Sequence, residues 1–254
     1  MHTEQIGNGS DLFLIHGWMM NGQCWRELTM QLKERHRLTT VDLPGHGGSL
    51  QSSYSFNRTE QLLSGLLELA PANAIWIGWS LGGLLAQLAA TTNPGYVRAV
   101  ISVGMSARHT AAADWQCGVN RALFRAIRLL FAASPAQLTR QLLDQQVLGS
   151  ERQKHVRATL STLATAPWEK RELKAGLGLL DTADARDAIQ TFDKPILFIA
   201  GEKDLVVNKA SLEQSANLAP QGHYVEIAGA GHAPFLSHPH EFTRTINHFI
   251  NELN

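Results

Sequence analysis

The stretch Ile75-Trp76-Ile77-Gly78-Trp79-Ser80-Leu81-Gly82 decides the fold of this chain. Its last five residues match the pattern G-x-S-x-G, an apolar run precedes them, and a helical pattern follows. A serine on so sharp a turn between strand and helix has a strained backbone, and the flanking glycines avoid collisions with neighbouring backbone. We therefore predict that Ser80 is a nucleophile presented on this turn. The competing interpretation is a glycine-rich turn with an incidental serine.

A serine hydroxyl is a poor nucleophile until a base removes its proton, so the chain should also supply a histidine. His232 ends the run Gly229-Ala230-Gly231-His232, a flexible turn that follows a predicted strand ending at Ile227. Such a turn can carry an imidazole over the carboxyl edge of a sheet. We predict that His232 is the general base.

The group that orients this base is predicted to be Asp204. It follows a predicted strand at 195–199, and ligands bind at the carboxyl ends of strands in open α/β sheets. Two other carboxylates are rivals: Asp193 precedes the strand and falls at its opposite end, and Glu202 is too close to the strand to reach outward easily. An acid between the nucleophile and the base in the sequence is the order expected with this type of turn.

Backbone N–H groups aimed at the oxyanion of the transition state are usually the largest single catalytic term, about 3 kcal/mol each. One donor is predicted at Leu81, directly after the nucleophile, and a second at Trp18 in the early loop His16-Gly17-Trp18. The Trp18 indole would then line the substrate pocket. The alternative is that Trp18 is a packed core aromatic. We interpret His16 and His46 as structural residues.

Short apolar runs alternate with amphipathic helical stretches, which predicts an α/β fold with a mostly parallel central sheet flanked by helices. Predicted strands fall at 12–15, 38–41, 74–77, 97–103, 195–199 and 223–227, and predicted helices at 25–35, 57–69, 82–92 and 239–253. From about 115 to 188 apolar residues recur at helical spacing without a strand pattern. We predict a single domain over 1–254, with a helical cap of about four helices inserted there.

Composition excludes several classes of protein. Lys plus Arg equals Asp plus Glu at 22 each, which removes the basic excess expected of a nucleic-acid binder. No leader pattern or long uncharged apolar run appears, so we expect no membrane partner and a cytoplasmic location. Cys24 and Cys117 are too few for a disulfide framework and lack metal-ligand spacing, and we expect neither a metal nor another cofactor.

Four sequence blocks resemble the α/β-hydrolase superfamily: His16-Gly17-Trp18, Asp42-Leu43-Pro44-Gly45-His46-Gly47, Gly78-Trp79-Ser80-Leu81-Gly82-Gly83 and Gly231-His232-Ala233-Pro234-Phe235. Two longer blocks, at 74–84 and 232–242, are similar to the carboxylesterases of biotin synthesis. The resemblance implies hydrolysis of the methyl ester of pimeloyl-acyl carrier protein through an acyl-enzyme. It also places the substrate contacts of the cap on five consecutive residues: Leu142, Leu143, Asp144, Gln145 and Gln146. Gln146 matches the pattern of that family, whereas Leu142 and Asp144 depart from it.

Acyl carrier proteins are acidic, so a carrier-linked substrate calls for a basic docking surface. Between Arg108 and Lys174 the chain has eleven Lys and Arg against five Asp and Glu. The candidate docking residues are Arg121, Arg140, Arg152, Lys154 and Arg157. The alternative is that these charges are the solvated faces of cap helices. We expect the protein to act as a monomer.

Two alternative functions are compatible with the same fold. A hydrolase of small free esters or thioesters would use the same triad, because fold and triad do not fix the substrate. A ligand receptor built on a hydrolase scaffold would need no triad, and an intact one argues against it. A dehalogenase is disfavoured because that branch carries aspartate where this chain has Ser80.

Overall fold

The computed structural model describes residues Met1–Leu253, which are built around one seven-stranded sheet. The strands are β1 (Thr3–Ile6), β2 (Ser10–Ile15), β3 (His36–Val41), β4 (Ala74–Trp79), β5 (Val97–Val103), β6 (Ile196–Gly201) and β7 (Gly222–Ile227). They lie in the order β1-β3-β2-β4-β5-β6-β7. Strand β1 pairs antiparallel with β3, and the neighbours that follow pair in parallel. The predicted fold class is confirmed.

Helices cover both faces of the sheet, as a parallel sheet requires. They are α1 (Arg26–Leu32), α2 (Thr59–Leu69), α3 (Leu81–Thr92), α4 (Arg121–Ala133), α5 (Pro135–Val147), α6 (Gln153–Ala164), α7 (Lys170–Thr182), α8 (Arg186–Thr191), α9 (Lys209–Leu218), α10 (Pro234–Ser237) and α11 (Pro239–Glu252). Because both faces are covered, the central strands are apolar without alternation. All six residues of β4 are buried.

Helices α4–α7 lie between β5 and β6, where the sequence predicts an inserted cap, and we use "cap" for these four helices. Asn120 begins the cap: its side-chain oxygen accepts hydrogen bonds from the backbone N–H groups of Ala122 and Leu123. Pro135 occupies the first position of α5, where its missing N–H leaves no helical bond unmade. The starts of α4 and α5 are therefore fixed by local chemistry.

Strand β1 and helices α8, α9 and α10 have no counterpart among the predicted elements. Strand β1 is an edge strand whose four residues show no buried alternation, so no period-two pattern marks it. Helix α9 has a weakly amphipathic sequence, but Asn208 caps it by accepting a hydrogen bond from Ala210 N at 3.0 Å. Within Met1–Leu253, every helix is too short or too polar to cross a membrane.

Candidate active site

Ser80 lies on the turn between β4 and α3 with a backbone φ of 52°, in the left-handed region that non-glycine residues rarely adopt. Its N–H donates to the carbonyl oxygen of Val103 at 2.9 Å, which fixes the turn against β5. A Cβ at Gly78 would lie 2.2 Å from the carbonyl oxygen of Gly82, and one at Gly82 would lie 2.3 Å from that of Ile15. Side chains cannot fit at either position, so the two glycines are what permit the turn.

His232 lies in the loop after β7 and is held at three points. Its Nδ1 lies 2.8 Å from Asp204 Oδ2, and both side chains are almost completely buried. The indole N–H of Trp79 donates to its carbonyl oxygen at 2.8 Å. Its own backbone N–H donates to the carbonyl oxygen of Gln146, in the last turn of α5, at 3.0 Å. The imidazole therefore has a fixed backbone and a fixed carboxylate partner.

Asp204 follows β6 and is itself held by the backbone beyond it. Its Oδ1 accepts hydrogen bonds from the N–H groups of Val206 at 2.7 Å and Val207 at 3.0 Å, which leaves Oδ2 for His232. The rival Glu202 is engaged differently, because its Oε2 accepts from Gly229 N at 2.8 Å. Hydrogen bonding to that backbone N–H lowers the pKa of Glu202. Asp204, and not Glu202, is therefore the carboxylate that is hydrogen-bonded to His232.

A cavity of about 630 Å³ lies between the cap and the sheet, and Ser80 and His232 both border it. Its walls are largely apolar. Val119 and eight cap residues supply them: Leu123, Phe124, Ile127, Leu130, Leu138, Leu142, Leu177 and Leu180. The side chains of Leu123 and Leu205 border it while more than half exposed. Ser80 and His232 therefore lie at the edge of a cavity whose apolar walls suit an apolar chain.

The candidate oxyanion donors flank the serine. A Cβ on Gly17 would lie 3.3 Å from Ser80 Cβ, so the early loop lies directly against Ser80. Within Met1–Leu253 the backbone N–H groups of Trp18 and Leu81 donate to no other group. The Trp18 indole borders the cavity, packs edge-on against Phe131 and donates its N–H to Leu173 O at 2.8 Å. The same side chain therefore lines the cavity and ties the loop to α7.

Two buried histidines brace that early loop. His16 Nδ1 donates to Gly17 O at 2.8 Å while its Nε2 accepts from Leu43 N at 2.9 Å. His46 Nδ1 donates to Pro44 O at 2.9 Å while its Nε2 accepts from Met19 N at 3.2 Å. Each ring uses one nitrogen as donor and the other as acceptor, which only a neutral imidazole can do. Burial lowers the pKa of His16 to about 4 and that of His46 to about 3.

The arrangement of turn, acid and base agrees with a comparison of the sequence with known families. Residues 12–245 match the model of the alpha/beta hydrolase family. The chain belongs to the α/β-hydrolase family.

Relatives of this α/β-hydrolase match it from end to end. One from Stenotrophomonas maltophilia strain K279a is 36% identical over 260 residues, with 100% of this chain and 98% of the relative covered. Another, from Xanthomonas campestris pv. campestris strain B100, is 35% identical over 262 residues and is covered completely. Both relatives are named pimeloyl-[acyl-carrier protein] methyl ester esterase. The resemblance inferred from the sequence blocks is confirmed.

Solved structures share the fold at lower identity. An esterase from Exiguobacterium antarcticum superposes with a TM-score of 0.88 at 20% identity, covering 98% of this chain and 95% of its own. The enol-lactonase from Burkholderia xenovorans LB400 superposes with a TM-score of 0.85 at 21% identity, covering 98% and 96%. These likenesses establish the architecture of this α/β-hydrolase and leave its substrate open.

The five candidate contact residues on α5 separate into two groups in this α/β-hydrolase. Leu142, Gln145 and Gln146 border the cavity. Leu143 is buried in the core, and Asp144 is exposed and pairs with Arg157 across 2.7 Å. Successive helical residues point about 100° apart, so five in a row cannot share one wall. Gln146 Oε1 is buried without a hydrogen-bond partner.

The candidate docking residues differ in how far they are already engaged. Arg157 pairs with Asp144, and Arg152 donates to Leu236 O at 3.1 Å. Arg121, Arg140 and Lys154 are exposed and, within Met1–Leu253, have no ion-pair partner. These three side chains could therefore pair with an acidic partner without first breaking an ion pair within the protein.

Sequence reasoning missed several polar residues of the cavity, and His109 is the one of them that lies deepest among apolar side chains. It lies in the segment between β5 and α4, which carries no recognisable motif, and the structure brings its ring to the cavity wall. Within the described residues no group of three or more His, Cys, Asp or Glu is placed to hold a metal ion.

Proposed function

We propose that this α/β-hydrolase is a carboxylic ester hydrolase that removes the methyl group from the methyl ester of pimeloyl-acyl carrier protein. The observation that carries the proposal is the Asp204–His232 pair beside Ser80 on one apolar cavity. The relatives named for this activity match the chain over its full length. The product would be the carrier-linked acyl chain with a free terminal carboxylate.

Ser80 is the nucleophile in the proposed reaction. Its Oγ attacks the ester carbonyl carbon while His232 Nε2 takes the hydroxyl proton. Asp204 accepts a hydrogen bond from Nδ1, which leaves the lone pair on Nε2 and stabilises the imidazolium that forms. The negative charge moves to the former carbonyl oxygen, where the N–H groups of Trp18 and Leu81 receive it.

Collapse of this tetrahedral intermediate breaks the bond to the methoxy oxygen. The imidazolium returns its proton to that oxygen, so methanol leaves and the acyl group stays on Ser80 as an ester. A water molecule then attacks this ester, His232 takes one of its protons, and the second collapse returns that proton to Ser80 Oγ. The acyl chain departs as a carboxylic acid, which ionises at neutral pH.

The shape and lining of the cavity support an extended acyl chain as the occupant. Its volume of about 630 Å³ is within the range of pockets for small-molecule ligands. The apolar walls supplied by α4, α5 and α7 would exclude water from the methylene groups. At 25 cal/mol per Å² of apolar surface, each buried methylene contributes about 0.8 kcal/mol to binding.

The carrier protein would meet the basic surface of the cap. Arg121, Arg140 and Lys154 are exposed cations without ion-pair partners among the described residues. An acidic carrier is drawn to such a surface, which raises the rate of encounter more than it raises final affinity. The acyl chain would then enter the cavity between cap and sheet.

Complementation of a biotin auxotroph that lacks this esterase tests the proposal. We expect the wild-type chain to restore growth without biotin and the Ser80→Ala variant, expressed to the same level, to fail. Purified wild type should also convert the carrier-linked methyl ester to the acid, seen by mass spectrometry as the loss of one methylene mass from the carrier. Folded wild type that does neither would refute this substrate while leaving the family membership intact.

A further inference from the structure

His109 is a polar residue in an apolar wall, and its ring lacks any hydrogen-bond partner within Met1–Leu253. The residue is 6% exposed and borders the cavity. Its Nδ1 is completely buried without a partner. The great majority of buried polar atoms in proteins are hydrogen-bonded. The other ring nitrogen, Nε2, also lacks a partner among the described residues, and a ligand in the cavity that His109 borders can supply one.

The segment around His109 is held in place by hydrogen bonds on both sides of the residue. Val119 N donates to the carbonyl oxygen of His109 at 2.8 Å, and Thr110 Oγ1 donates to Asp181 O at 2.9 Å. The ring packs edge-on against Phe124, with 5.1 Å between the ring centroids. The imidazole is therefore presented to the cavity by a segment held on both sides.

His109 is neutral at neutral pH, because burial and then the nearby His232 lower its pKa to about 4. A neutral imidazole carries one N–H and one lone pair. A buried N–H without a partner is rarer in proteins than an under-used acceptor, so the lone pair belongs on the orphaned Nδ1 and the proton on Nε2. Since Nδ1 is inaccessible, Nε2 is the ring nitrogen that can meet a ligand, and it meets it as a donor.

We propose that His109 is a specificity-determining residue: its Nε2–H donates a hydrogen bond to a second carbonyl oxygen of the bound acyl group, distinct from the carbonyl that Ser80 attacks. A purely alkyl chain would leave this donor unpaired in an apolar wall. The cavity would thus favour acyl groups with a carbonyl at both ends. This inference rests on the proposed function, whose substrate has a methyl ester at one end and a thioester at the other.

The test measures how His109 variants change the choice between two free methyl esters of similar length. Dimethyl pimelate carries a second carbonyl, and methyl octanoate does not. For His109→Phe we expect kcat/KM for the diester to fall about three- to tenfold relative to that for the monoester, the usual range for one lost hydrogen bond. The loss should lie mainly in KM, because the bond forms equally in the ground state and the transition state.

His109→Gln is the conservative variant, since its amide N–H can replace the Nε2–H and should restore most of the diester preference. His248→Phe, the same exchange at an exposed position on α11, should leave the ratio of the two esters unchanged. A ratio that His109→Phe leaves unaltered, or a parallel loss on both esters, overturns the role assigned to His109.

The free-ester assay separates this inference from the proposed function. Failed complementation together with an altered ester ratio would remove the carrier-linked substrate and keep His109 as the selectivity residue. Successful complementation with an unaltered ratio would do the reverse. Folded wild type that hydrolyses neither free ester and also fails to restore growth would refute both.

Discussion

The indole N–H of Trp79 donates a hydrogen bond to the carbonyl oxygen of His232 at 2.8 Å. The residue that precedes Ser80, the proposed nucleophile, thus holds the backbone of His232, the proposed general base, 153 residues away. The two residues share one hydrogen-bonded support, so a shift of β4 moves both together. Their relative position is protected against small displacements of the loop, to which catalysis is sensitive.

Replacing Trp79 by Phe should lower kcat about tenfold with little change in KM, because the carbonyl oxygen of His232 loses its donor and the imidazole gains freedom. Steady-state kinetics on a methyl ester measures the effect. Trp76→Phe is the matched control: this fully buried tryptophan of β4 has an indole N–H without a hydrogen-bond partner. We expect Trp79→Phe to reduce the unfolding free energy by about 1 kcal/mol more than the control does. Equal losses of kcat in the two variants would contradict the bracing role.

Replacing Asp204 by Asn should reduce kcat by about a thousandfold or more, because the amide favours the wrong imidazole tautomer and cannot stabilise the imidazolium. The control is Glu202→Gln, which changes the rival carboxylate in the same way. Glu202 bonds to the backbone of Gly229 rather than to the imidazole, so its loss should cost less than about tenfold. A Glu202→Gln rate as low as that of Asp204→Asn would exchange the two assignments.

Stability should fall as the pH drops below about 6.5, the ordinary pKa of histidine. Burial lowers the pKa of His16 and His109 to about 4 and that of His46 to about 3. Between about pH 6.5 and these values the unfolded chain binds protons at all three sites and the folded chain does not, so each site costs about 1.4 kcal/mol per pH unit. Above pH 6.5 these histidines are neutral in both the folded and the unfolded state, so they no longer lower the free energy of unfolding.

Urea unfolding at pH 7, 6 and 5 measures this slope. His109→Phe should lower it by about 1.4 kcal/mol per pH unit, because the variant deletes one buried proton site without breaking a hydrogen bond of the described protein. His16, His46 and His36, whose pKa burial also lowers, keep their contributions. His248→Gln, at an exposed position, should leave the slope unchanged. If His109→Phe unfolds with the wild-type slope, folding does not lower the pKa of His109.

Reversing the charge of Arg140 and Lys154 to Glu should lower kcat/KM for the carrier-linked ester about tenfold at low ionic strength and much less in high salt. Hydrolysis of a free methyl ester should be unaffected, because neither side chain borders the cavity. Arg35→Glu is the control, since this exposed arginine precedes β3 at the opposite edge of the sheet from the active site. Equal losses on carrier-linked and free ester would show that the cap had been disturbed rather than a docking surface.

Local sequence was enough to predict the turn at Ser80 and the position of Asp204 just after a strand. The glycines around Ser80 mark a turn that only they permit, and Asp204 follows an apolar strand at the edge where parallel strands end. Both features depend on only a few consecutive residues. The edge strand β1 was invisible because it buries no alternating face.

Contacts between distant parts of the chain could not be predicted in this way. The bond from the Trp18 indole to Leu173 O joins residues 155 apart, and its existence depends on how the cap sits over the sheet. The role of His109 could not be predicted either, because the sequence does not show that its ring borders the cavity and that its Nδ1 is buried without a hydrogen-bond partner. The helical rotation along α5 likewise separates Asp144 from Gln146, though two positions apart, and a resemblance between sequences does not resolve it.

The bond from His232 N to Gln146 O bears on any attempt to re-engineer substrate choice by exchanging caps between hydrolases. A transplanted cap must place a backbone carbonyl where Gln146 O lies in the last turn of α5. Without it, the loop that carries His232 loses a hydrogen bond that the sheet does not supply. Grafts that end before that turn would keep the native anchor and alter only the walls above it. The useful crossover point on this side of the insertion therefore lies inside a helix rather than in the loop that follows it.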